Sequence, residues 1–303
     1  MRPKRQLQRT SVLRLPARAA ALRRRAVLGE SQMVEPAKQA DSAAAAQAYE
    51  QYMVPSLFGP WIDDVLALAT LKSGERVLDV ACGTGAATRV AATRVGPGGS
   101  AAGLDFDPGM IEVARGRSDS AEGAPIAWHV ANALDMPFED GAFDAVLCLQ
   151  GVQFFPDKLA GFKEMRRVLT RSGCVAVSVW RTIDHCKGHA ALAKVLERHG
   201  IDAQPARRPF SLGEADELAL LGHRAGFAGV KVDAVAKVMR FESPGDFVRI
   251  LAAGAPSTRH ALAKVSESQR LQIIAEVDAE LQPYVDSSGL GLPYASHFLS
   301  AHA

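Results

Sequence analysis

No stretch of the 303 residues comes near the roughly 20 consecutive apolar residues a helix needs to cross a bilayer. That excludes an ordinary transmembrane helix. Cysteine is scarce. Cys82, Cys148, Cys174 and Cys186 are the only four, and no two form a CxxC pair. A zinc ribbon or a disulfide framework therefore finds no support, and three of the four sit in apolar, strand-like runs that suit buried, reduced thiols. Aromatic residues make up only 6% of the chain. This argues against a stacking platform for single-stranded nucleic acid. Acid is absent from residues 1–29, which hold nine of the 35 Lys and Arg. The other 26 face 33 acidic residues, a balance of −7. The body is mildly acidic and has no global attraction for nucleic acid. What is present is an apolar content of 48%, enough for a sizeable core in one large α/β domain with additions.

The basic arm, residues 1–32, reads as a disordered or mis-started extension, because Met33 opens a sequence of different character. Its Arg-rich, acid-free composition also suits a transit peptide, or a tail touching RNA or anionic lipid. The expected location is cytoplasmic, with an organelle as the alternative. From Asp41 to Thr70 the spacing predicts helix, with Ser42 as an N-cap candidate and interruptions at Pro55 and Gly59-Pro60.

Strands and helices then alternate. RVLDVA, SAAGLD, IAWHVA, FDAVLCL and CVAVSVW predict five strands, with helical stretches after the first, second and fourth, a turn at Glu139-Asp140-Gly141 before the fourth and a turn at RSG before the fifth. Asp107-Pro108 and Ser243-Pro244 are helix starts, with the cap residue followed by proline at the first helical position. Such alternation implies right-handed crossovers and a parallel sheet. GVKVDAV and AKVMRF predict two short antiparallel strands, residues 259–284 a long helix, and the final stretch a loop. The expected division is 1–32 extension, 33–71 N-terminal helical lid, 72–243 cofactor-binding domain and 244–303 C-terminal helical addition.

The most informative segment is VLDVACGTG, Val77 to Gly85. A glycine-containing loop between a strand and a helix often cradles phosphate. A dinucleotide fingerprint starting at Gly83 would need a third glycine where Thr88 stands, and Asp79 would repel a pyrophosphate. A ligand that is cationic near the loop and carries its own carboxylate fits better. S-adenosylmethionine has an ammonium, a sulfonium and a carboxylate. Asp79 can offset the cationic side while loop N–H groups and the helix N-terminus receive the carboxylate. Asp105, at the end of the second strand, can accept both ribose hydroxyls. Phe106 and Met110 offer an apolar wall for adenine. Asn132 and Ala133 can meet the edge of the base.

With GLDFDPGMIEVA, NALDMPFEDGAFDAV and EMRRVLTRSGCVAVSVW following in order, the chain resembles class I S-adenosylmethionine-dependent methyltransferases, of the branch similar to those of ubiquinone and menaquinone biosynthesis. The resemblance runs from about Tyr49 to Phe241. It implies a doubly wound, seven-stranded, mostly parallel Rossmann-like sheet whose last strand is antiparallel. It also implies an N-terminal helical lid and C-terminal helical additions over the substrate. Two positions depart from the pattern. Ala81 replaces the first loop glycine and is tolerated if its φ is negative. Asn132 replaces an aspartate, keeping the acceptor but losing the charge.

The resemblance puts Asp79, Ala81, Gly83, Gly85, Asp105, Phe106, Met110, Asn132, Ala133 and Gln150 at the cofactor. It puts Tyr49, Tyr52, Gln153 and Trp180 around the transferable methyl. No metal is called for. Should a neutral hydroxyl be the acceptor, a base is needed within reach. Tyr49 and His185 are candidates, with Asp184 and His189 nearby, although His185, Asp184 and His189, each taken alone, read better as part of a solvated polar loop. His129, His199 and His223 fit packing or helix-end roles. The expected acceptor is a small, partly apolar organic molecule, methylated at O, N or C by in-line displacement. CLQGVQFF lacks the Asn/Asp-Pro-Pro-aromatic signature of nucleobase amine methylases. A nicotinamide-dependent oxidoreductase and a non-catalytic S-adenosylmethionine-binding partner protein remain as alternatives.

Overall fold

The computed structural model describes residues 36–117, 123–255, 258–259, 262 and 265–303. The arm 1–32 lies outside them. All of the described residues but the first three of the first helix belong to the unit Gln39–Ala303.

Helix α1 (Pro36–Ala48) runs on into a π-helix (Tyr49–Phe58), a 3₁₀ turn (Gly59–Trp61) and α2 (Ile62–Ala69). Ser42 lies within α1 and does not cap it; its hydroxyl donates to Asp107 instead (2.8 Å). Pro55 does not break the helix as the spacing predicts. Proline has no N–H for the ladder and crowds the carbonyl four residues back. Widening to i→i+5 bonds accommodates both, and Gly59 N–H donates to Val54 O in that register.

The sheet strands are β1 (Arg76–Val80), β2 (Ser100–Asp105), β3 (Ile126–Val130), β4 (Phe143–Leu149), β5 (Leu169–Trp180), β6 (Ala228–Phe241), a two-residue β7 (Val285–Asp286) and β8 (Gly289–His302). Helices α3 (Ala86–Val95), α4 (Pro108–Gly116) and α5 (Lys158–Val168) make the crossovers. Their caps follow sequence logic: Asp107 accepts from Gly109 N–H and Asp157 from Ala160 N–H. After β5 come α6 (Lys187–Arg198), α7 (Gln204–Arg207) and α8 (Ala215–Arg224). Helices α9 (Pro244–Gly254), capped by Ser243, and α10 (Glu267–Leu281), capped by Ser266, lie between β6 and β8.

The strand order is β3-β2-β1-β4-β5-β8-β6, with β7 paired to β8. β1 to β5 are parallel; β8 is antiparallel to both β5 and β6. This is the expected mixed, mostly parallel sheet with the last strand reversed. Its assembly corrects three local expectations. The RSG turn lies inside β5. GVKVDAV and AKVMRF form one continuous β6. The antiparallel partner of β6 is the chain's end, expected as loop and assigned to a helical addition over 244–303. Gly-Leu-Gly-Leu-Pro at its start looks like a loop. Yet Pro293 falls where β8 pairs with β6 alone, the β5 register covering only 296–302, so its missing N–H is tolerated.

Apolar residues cover both sheet faces. Trp61, Leu66, Leu147, Trp180 and Phe298 belong to one core, and Leu78, Leu104, Phe162, Val175 and Leu299 to the other. Burying each such side chain contributes about 1.5–3 kcal/mol. Among the described residues no helix is long and apolar enough to cross a membrane.

Candidate active site

The order reverses direction between β1 and β4. In open α/β sheets that switch point leaves a crevice beyond the carboxyl ends of the strands. A cleft opens there, lined by Asp79 of β1, Ala81, Cys82 and Thr84 after it, Ala86 and Ala87 of α3, Leu149 of β4, and Tyr49, Val54, Phe58 and Ile62 from the N-terminal helices. In a π-helix, residues four to five apart share a face, and Tyr49, Val54 and Phe58 have that spacing. Tyr49 and Phe58 stack with ring centroids 5.1 Å apart.

The loop is built around two buried carboxylates. Asp79, 2% exposed, accepts from the Thr88 hydroxyl at 2.6 Å. Burial pushes its pKa up to about 7; the Thr88 bond opposes the shift, and nearby Asp105 adds to it. Asp105 accepts from Gly83 N–H (2.9 Å) and Asp107 N–H (3.0 Å), and burial raises it too. Gly83 has φ +56°, and the Tyr49 ring lies against it. Gly85, at φ +80°, caps α3, and any Cβ there would meet the Trp128 ring at 2.2 Å. Burial first, then the carboxylates of Asp105, Glu50 and Asp79, drive the Tyr49 phenol far above its ordinary range. It stays protonated and can donate a hydrogen bond.

Ala81 departs from expectation: its φ is +56°. An L-residue in that region costs roughly 1–2 kcal/mol. Ala81→Gly should therefore stabilise the protein by about 1 kcal/mol, checked by urea unfolding of the ligand-free protein. An unchanged or lowered midpoint would mean that the loop relaxes to another conformation.

Other residues named from the sequence lie apart from the cleft lining. Phe106 is 80% exposed and Tyr52 40%. Met110 is half-buried in α4, and Ala133 is buried. Asn132 is exposed, and its side-chain carbonyl already accepts from Leu134 N–H (3.0 Å). Gln150 and Gln153 form a buried chain in which Gln153 donates to Gln150 and Gln150 to Ser296. Trp180 is packed behind Phe58, edge-on to Trp61 and Tyr294. His185 and Asp184 are exposed on a 3₁₀ turn. His189 bonds Tyr294 (2.6 Å) within an aromatic shell, and burial alone lowers its pKa to about 4. His129 lies edge-on to Phe138, and His199 pairs with Glu276. Among the described residues no histidine lines the cleft. Missed in the sequence were Glu50, whose carboxylate accepts from Thr84 and pairs with Arg117 (3.0 Å) and Arg89 (3.7 Å), and Trp128 against Gly85.

Residues 77–173 match the family described as "Methyltransferase domain". The chain is 36% identical over 128 residues to a demethylmenaquinone methyltransferase of Staphylococcus aureus, 42% of this chain and 50% of that protein. It thus spans about half the length of the curated relatives it matches. The fold is similar to phosphoethanolamine N-methyltransferase 2 of Haemonchus contortus, solved with S-adenosyl-L-methionine (TM-score 0.54, 22% identity, 86% of this chain, 57% of that one). It is also similar to the YcgJ protein of Bacillus subtilis (TM-score 0.51, 15% identity, 80% and 97%). At these identities the likeness establishes the fold.

Proposed function

We propose that this chain is a class I S-adenosylmethionine-dependent methyltransferase acting on a small organic acceptor. The observation that carries the reading is the pair of buried carboxylates, Asp79 and Asp105, framing a glycine loop at the switch point. A carboxyl at each of these positions suits a cationic amino-acid moiety and a ribose, and it is Asp79, ionised when the ligand is bound, that opposes a pyrophosphate. The match of residues 77–173 to the methyltransferase family points the same way.

In this reading Asp79 faces the cationic end of the cofactor and Asp105 the ribose hydroxyls. The bound cofactor supplies a sulfonium methyl, already activated. The chain's own work is then alignment and exclusion of water. Val54, Phe58, Ile62 and Leu149 present an apolar wall to the acceptor side. Neutral Tyr49 can orient an acceptor oxygen or nitrogen but is no base, and His185 and His189 lie away from the cleft. The acceptor is therefore one that arrives ionised or as a free amine, or one that loses its proton late.

S-adenosylhomocysteine should raise Tm, while NAD and NADP should not. The rise should grow with pH through about 7. Asp79 holds its proton below that value in the free protein and must shed it to face an ammonium. The free protein itself should lose stability as pH climbs from about 4 to 7. There the folded Asp79 binds more proton than the unfolded one, so the slope of unfolding free energy against pH is negative. Scanning calorimetry between pH 5 and 8.5 tests both. Stabilisation by NAD with none by S-adenosylhomocysteine would sink the assignment.

A further inference from the structure

The N-terminal helices pair with the cofactor-binding body through Asp63 to Arg94, Asp64 to Lys237 and Glu50, and of these carboxylates that of Glu50 is the most buried and the one that reaches the glycine loop. Glu50 is the neighbour of Tyr49 in the π-helix, and its side chain is only 9% exposed. One oxygen accepts from the hydroxyl of Thr84 in the glycine loop. The other is 3.0 Å from Arg117 Nε at the end of α4 and 3.7 Å from Arg89 of α3. Arg89 in turn donates to Thr84 O (2.9 Å), so the loop, α3 and the lid share one polar node. A second contact lies along the same helical run, where Ser42 donates to Asp107 at the start of α4. Between the two contacts the Tyr49 ring rests on Gly83, above Asp105.

A cofactor seated against Asp79, Gly83 and Asp105 lies beneath Tyr49. It can enter or leave only if this helical segment lifts. Lifting it exposes the Tyr49 ring and the apolar residues Met53 and Leu57 of the same segment, and it strips Glu50 of a hydroxyl donor and two guanidinium partners at once. A charge-assisted contact to a largely buried carboxylate is among the stronger polar interactions available.

We infer that Glu50 is a positioning residue that latches the lid over the cofactor cleft, setting how fast the cofactor exchanges rather than how tightly it binds. The inference rests on the cofactor reading of the same cleft. Because the latch is present without ligand, it holds the lid closed in the empty and in the occupied protein alike. Its removal lowers the barrier to opening in both. Association and dissociation then accelerate together, and the equilibrium constant, their ratio, barely moves. A residue that merely supports the fold gives a different pattern, with lower Tm and weaker binding. A residue that touches the cofactor raises dissociation alone.

Stopped-flow tryptophan fluorescence with S-adenosylhomocysteine, on the full chain, separates these. Glu50→Gln should raise both rate constants about tenfold while Kd stays within about threefold. Gln retains an acceptor for Thr84 but loses both guanidinium partners. Arg117→Ala, a change at a half-exposed side chain, should move both rates in the same direction by less. Glu50→Asp should restore part of the slow exchange. Unchanged rates in a folded Glu50→Gln protein overturn the inference, and so does a rise in dissociation alone. Hydrogen exchange of the ligand-free protein needs no cofactor. Glu50→Gln should speed exchange across residues 42–58 and leave β4 and β5 as in the parent. If S-adenosylhomocysteine does not bind the parent protein, the cofactor reading fails, and this second measurement still decides the latch. Exchange in 42–58 equal to that of the parent would show that Glu50 holds nothing closed.

Discussion

Asp105→Ala should raise the dissociation constant for S-adenosylhomocysteine at least about tenfold while leaving the protein folded. Asp105 ends β2, where each carboxylate oxygen holds one backbone N–H, from Gly83 and from Asp107. A carboxylate oxygen has two lone-pair sites, so each keeps one for a ribose hydroxyl. Such a charge-assisted pair is worth roughly 1.5–3 kcal/mol, and 1.4 kcal/mol is a factor of ten in affinity. The folded protein loses less. The carboxylate is 7% exposed and burial already works against its charge, so removing it relieves desolvation as it orphans the two N–H groups. Asp105→Asn should fall between, because it keeps an acceptor and the shape but not the charge. Titration calorimetry on both variants, with Tm as the control for folding, reads the result. An unchanged dissociation constant in folded Asp105→Ala would remove the ribose from this position.

The parts of the site that could be read from the sequence are those whose partners lie close along the chain. Asp79, Gly83 and Gly85 can be named from the nine consecutive positions of one strand and loop, whereas Thr88 reads there only as a missing glycine and its hydroxyl bond to Asp79 comes with the fold. Asp107 and Ser243 cap helices by rules that span three residues. Parallel β1 to β5 follow from the alternation of apolar runs with helical stretches. β8 resisted such reading because its strand character comes from outside it. The residues Gly289-Leu-Gly-Leu-Pro293 have poor strand propensity, and only pairing along β6 holds them extended. Glu50 resisted for a related reason. Its nearest partner in sequence, Thr84, is 34 residues away, and nothing in AYEQY distinguishes it from a solvated helix residue. The positive φ of Ala81 was hidden too, since alanine advertises no left-handed position. The close approach of Gly151, where an added Cβ would meet the Ala81 methyl at 2.6 Å, belongs to packing that only the folded loop creates.

Gly85→Ala carries the largest expected cost to the fold, and its size can be divided. Gly85 has φ +80° at the start of α3, its N–H bonded to Cys82 O and its carbonyl taken by Arg89 N–H. Both bonds fix the backbone, so the residue cannot rotate away from the left-handed region. That region costs an L-residue roughly 1–2 kcal/mol. The new methyl would also stand 2.2 and 2.6 Å from two ring carbons of Trp128. The half-buried ring also covers Gly103, where an added Cβ would meet it at 2.4 Å, so moving it disturbs a second backbone contact. Forcing a packed ring aside costs typically 1–3 kcal/mol. Together the two effects should destabilise the protein by about 2–5 kcal/mol, a Tm lower by at least about 5 °C. Trp128→Leu removes the clash and leaves the strain. In the double variant the steric share should vanish, so its loss should be smaller than the sum of the two single losses by about 1 kcal/mol or more. Equilibrium urea unfolding of the four proteins measures that coupling. A Gly85→Ala protein that melts with the parent, or single losses that simply add, would mean that Trp128 does not sit on the glycine loop and that the left-handed turn is not what holds the cleft open.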